Sequence, residues 1–340
     1  MNLQQPVAYA VPALRFLVYH SIPLDAARGC CDNLSAAANP SAAIIINPHR
    51  LFRPPREMLI YWAQNTMSLI TLTTDFGLRE GYPAVMKGVI YGILPHARLV
   101  DITHQVQPQN LYEAAFILEI SAFFFPENTV HVVVVDPGVG TARRPLAARI
   151  GSQFFVAPDN GVLSRVLLRA EREGWSSAFV HADQPAYWLA DRSATFHGRD
   201  IFAPLAAHLA GGVPLEKIGT PICDPQMLPI RQPQRSADGV SGEVIHIDHF
   251  GNAITSITAA DIQHLGQVQV SLCGKTTTGI LHTFSDCLKG EICALWDSSN
   301  YLMVSEYGGL KQIHPAVGDA VLVSPLTSGR NAPRQNRPGY

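Results

Sequence analysis

The length, composition and charge of this chain exclude several classes of protein. It has 340 residues, of which 47% are hydrophobic and 15% charged, so global disorder is excluded and about two domains are expected. The net charge of -2 and the lack of a basic patch in the body of the chain argue against a nucleic-acid partner, and no apolar run is long enough to cross a membrane.

The first 66 residues differ from the rest of the chain. Seven prolines interrupt them, and the partly apolar stretch 11–22 is a poor secretory signal because no small-residue cleavage site follows. We expect residues 1–66 to lie outside the fold. They are interpreted as a disordered extension, as a targeting leader, or as the result of a translation start assigned too far upstream, with Met67 as the natural start.

Residues 67–235 alternate between strand and helix patterns. An uncharged, β-branched run predicts a strand over 69–74, and further strands are predicted over 99–103, 129–135 and 154–157. Helical patterns separate or follow them over 80–94, 110–124, 161–172 and 201–209. Because the strand at 129–135 is almost continuously apolar, it is expected to be buried on both faces. The alternation predicts an N-terminal α/β domain with a central, mostly parallel sheet.

The C-terminal part of the chain has a different pattern. Five prolines between residues 214 and 239 indicate a linker or a long surface crossing. Beyond it, six short strands are predicted at 243–248, 253–257, 268–272, 291–296, 301–304 and 320–323. They indicate an all-β, barrel-like domain over residues 240–325. The Pro- and Gly-rich residues 326–340 are expected to form a flexible tail.

The spacing of the six cysteines is not typical of a metal site or of a redox motif. Cys30 and Cys31 are adjacent and no C-x-x-C pair occurs, so the sequence indicates neither a metal site nor a cofactor. Cys273, Cys287 and Cys293 lie among apolar residues and are expected to be buried free thiols. Free thiols are typical of a reducing compartment, which favours the cytoplasm.

Polar clusters follow the ends of predicted strands, where open α/β sheets place their sites. Asp75, in Thr-Thr-Asp-Phe-Gly, has the chemistry to bind a ribose diol, although its spacing alone favours a helix N-cap. Asp136 begins a Gly-rich turn that can return Arg143 toward it. The alternative is an ordinary turn with a structural Asp–Arg pair.

Two further clusters leave similar alternatives open. His197, in Thr-Phe-His-Gly-Arg-Asp, is compatible with a structural or a catalytic role, whereas Asp200 is expected to cap the next helix or pair with Arg199. The loop from Asp248 to Asn252 has groups that suit a zwitterionic amino acid and a stacked base. It also has the composition of a hairpin turn.

The ordered set of motifs resembles one family. Thr-Thr-Asp-Phe-Gly, Asp-Pro-Gly-Val-Gly-Thr-x-Arg-Arg, Pro-Asp-Asn-Gly, Thr-Phe-His-Gly-Arg-Asp and Phe-Gly-Asn, between residues 67 and 325, are similar to the adenosine-forming S-adenosyl-L-methionine (SAM) hydrolases. These enzymes, also called SAM hydroxide adenosyltransferases, are relatives of the fluorinase and chlorinase. The resemblance implies hydrolysis of SAM to adenosine and methionine by an α/β domain followed by a β-barrel domain. It also implies a homotrimer with sites between subunits.

The resemblance also implies roles for individual residues. Asp136, Arg143 and His197 match the water-activating trio, and Asp75 matches the ribose carboxylate. The residues implied in holding the rest of the substrate are Asp248, Phe250, Asn252 and Ser298.

Two departures from the halogenating relatives matter. Asp136, Val139 and Gly198 replace the Tyr, Thr and Ser of their halide pocket, and a carboxylate at 136 favours water over an anion. Glu306 stands where those relatives have an arginine, which leaves the adenine contacts of its loop open. The competing functions are a non-catalytic SAM or adenosine binder and a metal-dependent hydrolase.

Overall fold

The computed structural model describes residues 68–306 and 313–326. The predicted extension 1–66 and nearly all of the predicted tail 326–340 lie outside the described residues. Within residues 68–306 and 313–326, no helix is long and apolar enough to span a membrane.

The first sheet combines parallel and antiparallel strands. In chain order its strands are β1 (Leu69–Thr74), β2 (Arg98–Thr103), β3 (Val130–Val134), β4 (Pro145–Ile150), β5 (Gln153–Pro158), β6 (Ser177–His181) and β7 (Thr220–Ile222). Their spatial order is β2-β1-β3-β5-β4-β6-β7. Strands β2, β1, β3 and β5 are parallel neighbours, and β4, β6 and β7 continue the sheet with antiparallel pairing. The parallel half places the carboxyl ends of β1, β3 and β5 side by side.

Helices cover both faces of this sheet. The helices are α1 (Tyr82–Ile93), α2 (Leu111–Ser121), α3 (Ser164–Glu173) and α4 (Ala203–Ala210). One core joins Ile70 and Val132 of the sheet to Ile90 of α1 and Leu205 of α4. A second core on the other face joins Val133 and Phe155 to residues of α2 and α3. Burial on both faces explains why β3 is apolar apart from the buried His131.

The second sheet is antiparallel and nearly closes on itself. Its strands are β8 (Gln234–Ser236), β9 (Gly239–Ile247), β10 (Ala253–Thr258), β11 (Val268–Leu272), β12 (Lys275–Thr278), β13 (Ile292–Trp296), β14 (Tyr301–Glu306) and β15 (Ala320–Pro325), with the short helix α5 (Ala259–Ile262) after β10. The main path runs β12-β11-β15-β9-β10-β14-β13, and β8 pairs with β9. A bridge between Leu281 and Leu295 links the segment after β12 to β13 at the opposite edge. The expected α/β and all-β, barrel-like parts are therefore both confirmed.

Helix α2 joins the two parts. Phe116 packs with Ile254, Tyr301 and Met303 of the second sheet. One turn further, the buried carboxylate of Glu119 accepts a hydrogen bond of 2.9 Å from the Tyr301 hydroxyl. Glu119 also forms ion pairs with Arg165 and Arg172 of α3, so a single carboxylate connects α2, α3 and β14.

The structure corrects the expectation for three cysteines. Cys287 and Cys293 form a disulfide, and Cys273 is exposed, so the prediction of three buried free thiols is wrong. The turn before β13 brings the first two within a Cα–Cα distance of 5.8 Å, which is in the range that a disulfide requires. The thiol argument for a reducing compartment therefore no longer holds.

Candidate active site

The Gly-rich loop 136–144 brings Asp136 and Arg143 together at the carboxyl edge of the first sheet. The Arg143 Nε lies 3.0 Å and 2.9 Å from the two carboxylate oxygens of Asp136, and the Arg143 Nη2 also donates to that carboxylate. The Asp136 and Arg143 side chains are only 5% and 9% exposed. This is a buried, multiply hydrogen-bonded ion pair, which is a strong arrangement for an arginine and a carboxylate.

His197 completes this cluster from a distant part of the chain. Its Nδ1 lies 2.8 Å from the Arg143 Nη2. Because a guanidinium has no acceptor, Nδ1 must accept this bond, and the ring proton of a neutral imidazole is then on Nε2. Burial lowers the pKa of His197 below its ordinary value of 6.5, and the charge of Arg143 lowers it further, while Asp136 and Asp200 oppose the change. His197 is therefore a neutral ring that presents an N–H group.

A buried carboxylate holds the loop that carries His197. Asp200 is fully buried, accepts a 2.7 Å hydrogen bond from the Ser193 amide and pairs with Arg199. The expected pairing with Arg199 is thus present, and the bond to Ser193 ties the two ends of the loop 193–200 together. A short π-helix, Gly198–Phe202, follows His197 and leads into α4. Together with Arg143, His197 and neighbouring residues line a cavity of about 370 Å³.

Asp75 lies at the same edge as this cluster. Strands β1 and β3 are parallel neighbours and pair Thr74 with Val134, so Asp75 and Asp136 both follow the ends of adjacent strands. Asp75 is not the N-cap of α1, which is Gly81. One oxygen of Asp75 accepts a 2.8 Å hydrogen bond from the Gln109 amide. Among the described residues, the second oxygen has no hydrogen bond and has the chemistry to accept one from a ligand.

The remaining predicted residues line a different cavity, on the second sheet. The loop between β9 and β10 is the hairpin turn that its composition indicated, and Asp248 accepts hydrogen bonds from the Phe250 and Asn252 amides. The Asn252 side chain donates to Asp248 and accepts from Ser305. The cavity measures about 920 Å³, and its lining includes all four predicted residues, Asp248, Phe250, Asn252 and Ser298.

The two cavities share no lining residue within the chain. The sequence analysis missed several residues of the larger cavity: Phe116, His246, Trp296 and Met303. A strand or helix pattern indicates only which residues share a face, so Phe116 on α2 and the three strand residues gave no signal of their own. Glu306, which the sequence analysis singled out, also lies in this cavity and is buried.

Known proteins resemble the chain across both sheets. The sequence matches the SAM hydroxide adenosyltransferase N-terminal domain over residues 70–219 and the C-terminal domain over residues 242–312. It is 39% identical to an (R)-S-adenosyl-L-methionine hydrolase from Salinispora tropica over 71% of this chain and 90% of that protein. A fluorinase from Actinoplanes is 30% identical over 65% of this chain and 85% of that protein.

A solved structure agrees with this relationship. The crystal structure of an uncharacterized conserved protein from Thermotoga maritima superposes with a TM-score of 0.69 at 36% sequence identity. The match covers 75% of this chain and 99% of that one. Since the relatives are matched along most of their length and through both sheets, the chain belongs to the SAM hydroxide adenosyltransferase family.

Proposed function

We propose that this chain is a hydrolase that cuts SAM with water to give adenosine and L-methionine, by attack of water on carbon 5′ of the ribose. The observation that carries the proposal is the hydrogen-bonded contact of Arg143 with both Asp136 and His197, beside a cavity that Arg143 and His197 line. It occurs in a member of a family whose relatives include (R)-S-adenosyl-L-methionine hydrolases.

The chemistry requires few catalytic groups. Carbon 5′ of SAM is bonded to a sulfonium, so methionine leaves as a neutral thioether and needs no general acid. The water oxygen forms the new bond to carbon 5′, the C–S electron pair goes to sulfur, and the water loses one proton. This step is accelerated when the nucleophile is held in line with the C–S bond, roughly 3–3.5 Å from carbon 5′. It is also accelerated by a dry site, because the nucleophile and the sulfonium neutralise each other in the transition state.

The geometry divides the roles of the trio. Asp136 is a carboxylate that accepts hydrogen bonds, so it is suited to orient the water and accept its proton. The Nδ1 of His197 accepts the hydrogen bond from Arg143, so the ring proton is on Nε2. We therefore propose that Nε2 donates a hydrogen bond to the water oxygen. Arg143 joins the two groups and adds a positive charge that favours hydroxide.

We assign substrate binding to the other predicted residues. We assign the ribose diol to Asp75, which has a carboxylate oxygen with no hydrogen bond among the described residues. The 920 Å³ cavity has an apolar lining with a few polar groups, which suits a base and an amino acid. There we assign Asp248, Asn252 and Ser298 to the polar ends of the substrate and Phe250 to the adenine side.

Hydrolysis is favoured over halogenation by two local features. The carboxylate of Asp136 would repel a halide ion at the place where water attacks. At Gly198, an added Cβ would lie 3.2 Å from the Phe76 ring and 3.3 Å from the Met86 sulfur, so a serine there would be crowded. Halide added to the assay should therefore leave adenosine as the product.

The metal-dependent alternative has less support from the geometry. Among residues 68–306 and 313–326, no three His, Cys, Asp or Glu side chains are grouped to hold a metal ion. Asp136 and His197 both direct their acceptor atoms at Arg143. Metal analysis of the active protein separates this alternative from the proposal.

We further propose a homotrimer whose sites lie between subunits, as the family resemblance implies. Two observations support it: Arg143 and His197 line one cavity while Asp248, Phe250, Asn252 and Ser298 line another, and Phe250 is 79% exposed in the single chain. Light scattering should give the mass of a trimer, and an active monomer would contradict it. A cytoplasmic location stays a prediction, which cell fractionation tests.

The decisive experiment is product analysis. Purified protein incubated with SAM should release adenosine and methionine in equal amounts, as measured by chromatography. If SAM binds but stays intact, the protein is the non-catalytic binder named above.

Substitutions in the trio test the assignment of roles. Asp136→Ala, Arg143→Ala and His197→Ala should each lower kcat by about 10²–10⁴-fold, because these groups act mainly in the transition state. Their dissociation constants for SAM should change little. Asp75→Ala is the contrast, because loss of the ribose contact should chiefly weaken binding of SAM and adenosine. Normal turnover in Asp136→Ala with collapsed binding would refute the assignment.

A further inference from the structure

Two residues beside the trio, Asp159 and Asn160, follow strand β5 at the edge of the sheet that carries the candidate site. In the sheet, β5 lies between β3 and β4. The loop 136–144 leaves the end of β3 and enters β4 at Pro145, which pairs with Pro158 at the end of β5. The loop therefore crosses the end of β5, where Asp159 and Asn160 lie.

Asn160 holds the beginning of this loop. Its Nδ2 donates a 2.9 Å hydrogen bond to the Val135 carbonyl, and its Oδ1 accepts a 3.2 Å bond from the Val162 amide. Because an amide N–H only donates and a carbonyl only accepts, the two bonds fix the orientation of the Asn160 side chain. Val135 directly precedes Asp136, so the bond fixes the peptide from which the Asp136 side chain projects.

Asp159 holds the end of the same loop. Its carboxylate, 2% exposed, lies 2.8 Å from the Arg144 Nε and accepts a 2.7 Å hydrogen bond from the Gln226 amide. The Asp159 amide in turn donates to the Arg144 carbonyl at 2.9 Å. The residue next to Arg143 is thus held through both its side chain and its backbone.

We propose that Asp159 and Asn160 are positioning residues for water activation, which fix the two ends of the loop 136–144 so that Asp136 and Arg143 meet at the attacking water. This inference rests on the proposed function. Neither residue touches the trio side chains in the hydrogen bonds described, so each acts through the backbone or side chain of a trio neighbour. A displacement of about 1 Å at the reacting atoms is enough to cost roughly 100-fold in rate.

Asn160→Asp tests the first half of the proposal. The substitution keeps the shape of the side chain but replaces the donor to Val135 with an oxygen that repels the carbonyl. We expect kcat to fall roughly 10- to 100-fold, while the dissociation constant of SAM changes by less than about 2-fold. The split between rate and binding is the readout that a merely structural residue would not give.

Gln153→Glu is the matched control. Gln153 begins the same strand, is buried, and its Nε2 donates a 2.9 Å hydrogen bond to the Phe125 carbonyl at the opposite edge of the sheet. The control therefore loses the same kind of bond from the same strand. We expect a comparable drop in melting temperature with kcat within about 2-fold of the wild type.

Asp159→Asn tests the second half, with Asp224→Asn as its control. Asp159→Asn removes the buried negative charge that holds Arg144, and kcat should again fall roughly 10-fold or more with little change in SAM affinity. Asp224 contacts the same guanidinium at 3.0 Å from an exposed position. Asp224→Asn should leave kcat unchanged within about 2-fold because Asp159 still holds the loop.

The outcomes separate this proposal from the proposed function. If Asn160→Asp and Asp159→Asn lose no more activity than their controls while Asp136→Asn is inactive, the positioning roles are wrong and the hydrolase stands. If the wild type forms no adenosine, the proposed function itself fails. If Asp136→Asn keeps full activity, the role of Asp136 in water activation is wrong, and the positioning roles that depend on it are wrong as well. Should Asn160→Asp not fold, Asn160→Ala and Asp159→Asn are judged by the same criteria.

Discussion

At the scale of single residues, one guanidinium determines the state of its neighbours. Arg143 donates to Asp136 and to His197 Nδ1, which requires a neutral imidazole with its proton on Nε2. A second proton on His197 would have to occupy Nδ1, where it would face the donors of Arg143. Protonation of His197 and integrity of the trio are therefore mutually exclusive.

The activity should accordingly depend on pH in one direction. The pKa of His197 lies below 6.5 because of burial and the charge of Arg143, so the ring is neutral throughout the neutral range. The neutral fraction falls only as the pH drops through this lowered value. Because kcat/KM reports the groups of the free enzyme, we expect kcat/KM to be flat near neutrality and to fall on an acid limb that lies below 6.5.

A second histidine provides the control for the pH profile. Burial also lowers the pKa of His208, but its ring packs against Tyr187. His208→Asn should leave the acid limb in place, whereas His197→Asn should remove it along with most of the activity. An acid limb that survives in the residual activity of His197→Asn would assign the titration to another group.

The residue-scale predictions from the sequence were limited by distance along the chain. The Gly-rich turn indicated that Arg143 returns to Asp136, because only seven residues separate them. The contact between Arg143 and His197 spans 54 residues and depends on the sheet order and on the π-helix after His197. No spacing rule anticipates it, so it followed from the family resemblance alone.

At the scale of elements, the site depends on two loops that touch. Gly140 has φ of +78°, and a Cβ added there would lie 2.5 Å from the Ala194 carbonyl oxygen. The loop 136–144 therefore approaches the loop 193–200 more closely than any other residue type at position 140 would allow. This approach is what brings Arg143 within reach of His197.

Gly140→Ala should separate the two loops. Either loop must move to relieve the contact, so we expect kcat to fall roughly 10- to 100-fold. The control is Gly212→Ala, since Gly212 also has positive φ, at +93°, but a Cβ there meets nothing within 4 Å. Both variants should lose thermal stability from backbone strain, but only Gly140→Ala should lose turnover. Equal turnover in the two variants would mean that the loop contact is not needed.

Some elements were easier to predict than others. Strand β3 was recognisable because it is almost continuously apolar, and six of the eight described barrel strands because they are short and closely spaced. The short strands β7, β8 and β12 were not predicted, and neither were β4 and β6. Strand β4 begins with a proline and is rich in alanine, and β6 is half exposed. Both are strands because sheet neighbours pair with them, and pairing partners are not visible in a local pattern.

At the scale of the whole molecule, α2 links the parts that carry the two cavities. Phe116 of this helix lines the larger cavity and packs against β14, and Glu119 binds Tyr301. Burial and the nearby Glu119 carboxylate raise the pKa of Tyr301, so its hydroxyl stays a donor to Glu119 at any physiological pH. The sequence indicated two parts with a proline-rich crossing between them, but not this connection, because Glu119 and Tyr301 are 182 residues apart.

The separation of the two cavities, together with the proposed trimer, predicts complementation between inactive subunits. If each site joins the trio of one subunit to the barrel of the next, Asp136→Asn and Asp248→Asn damage opposite halves of a site. In trimers assembled at random from the two variants, about a quarter of the sites would combine an intact trio with an intact barrel. Neither variant alone can form such a site. Unfolding and refolding the two inactive proteins together should therefore restore measurable adenosine release, and refolding each alone should not. If each chain instead carried a complete site of its own, mixing would restore nothing.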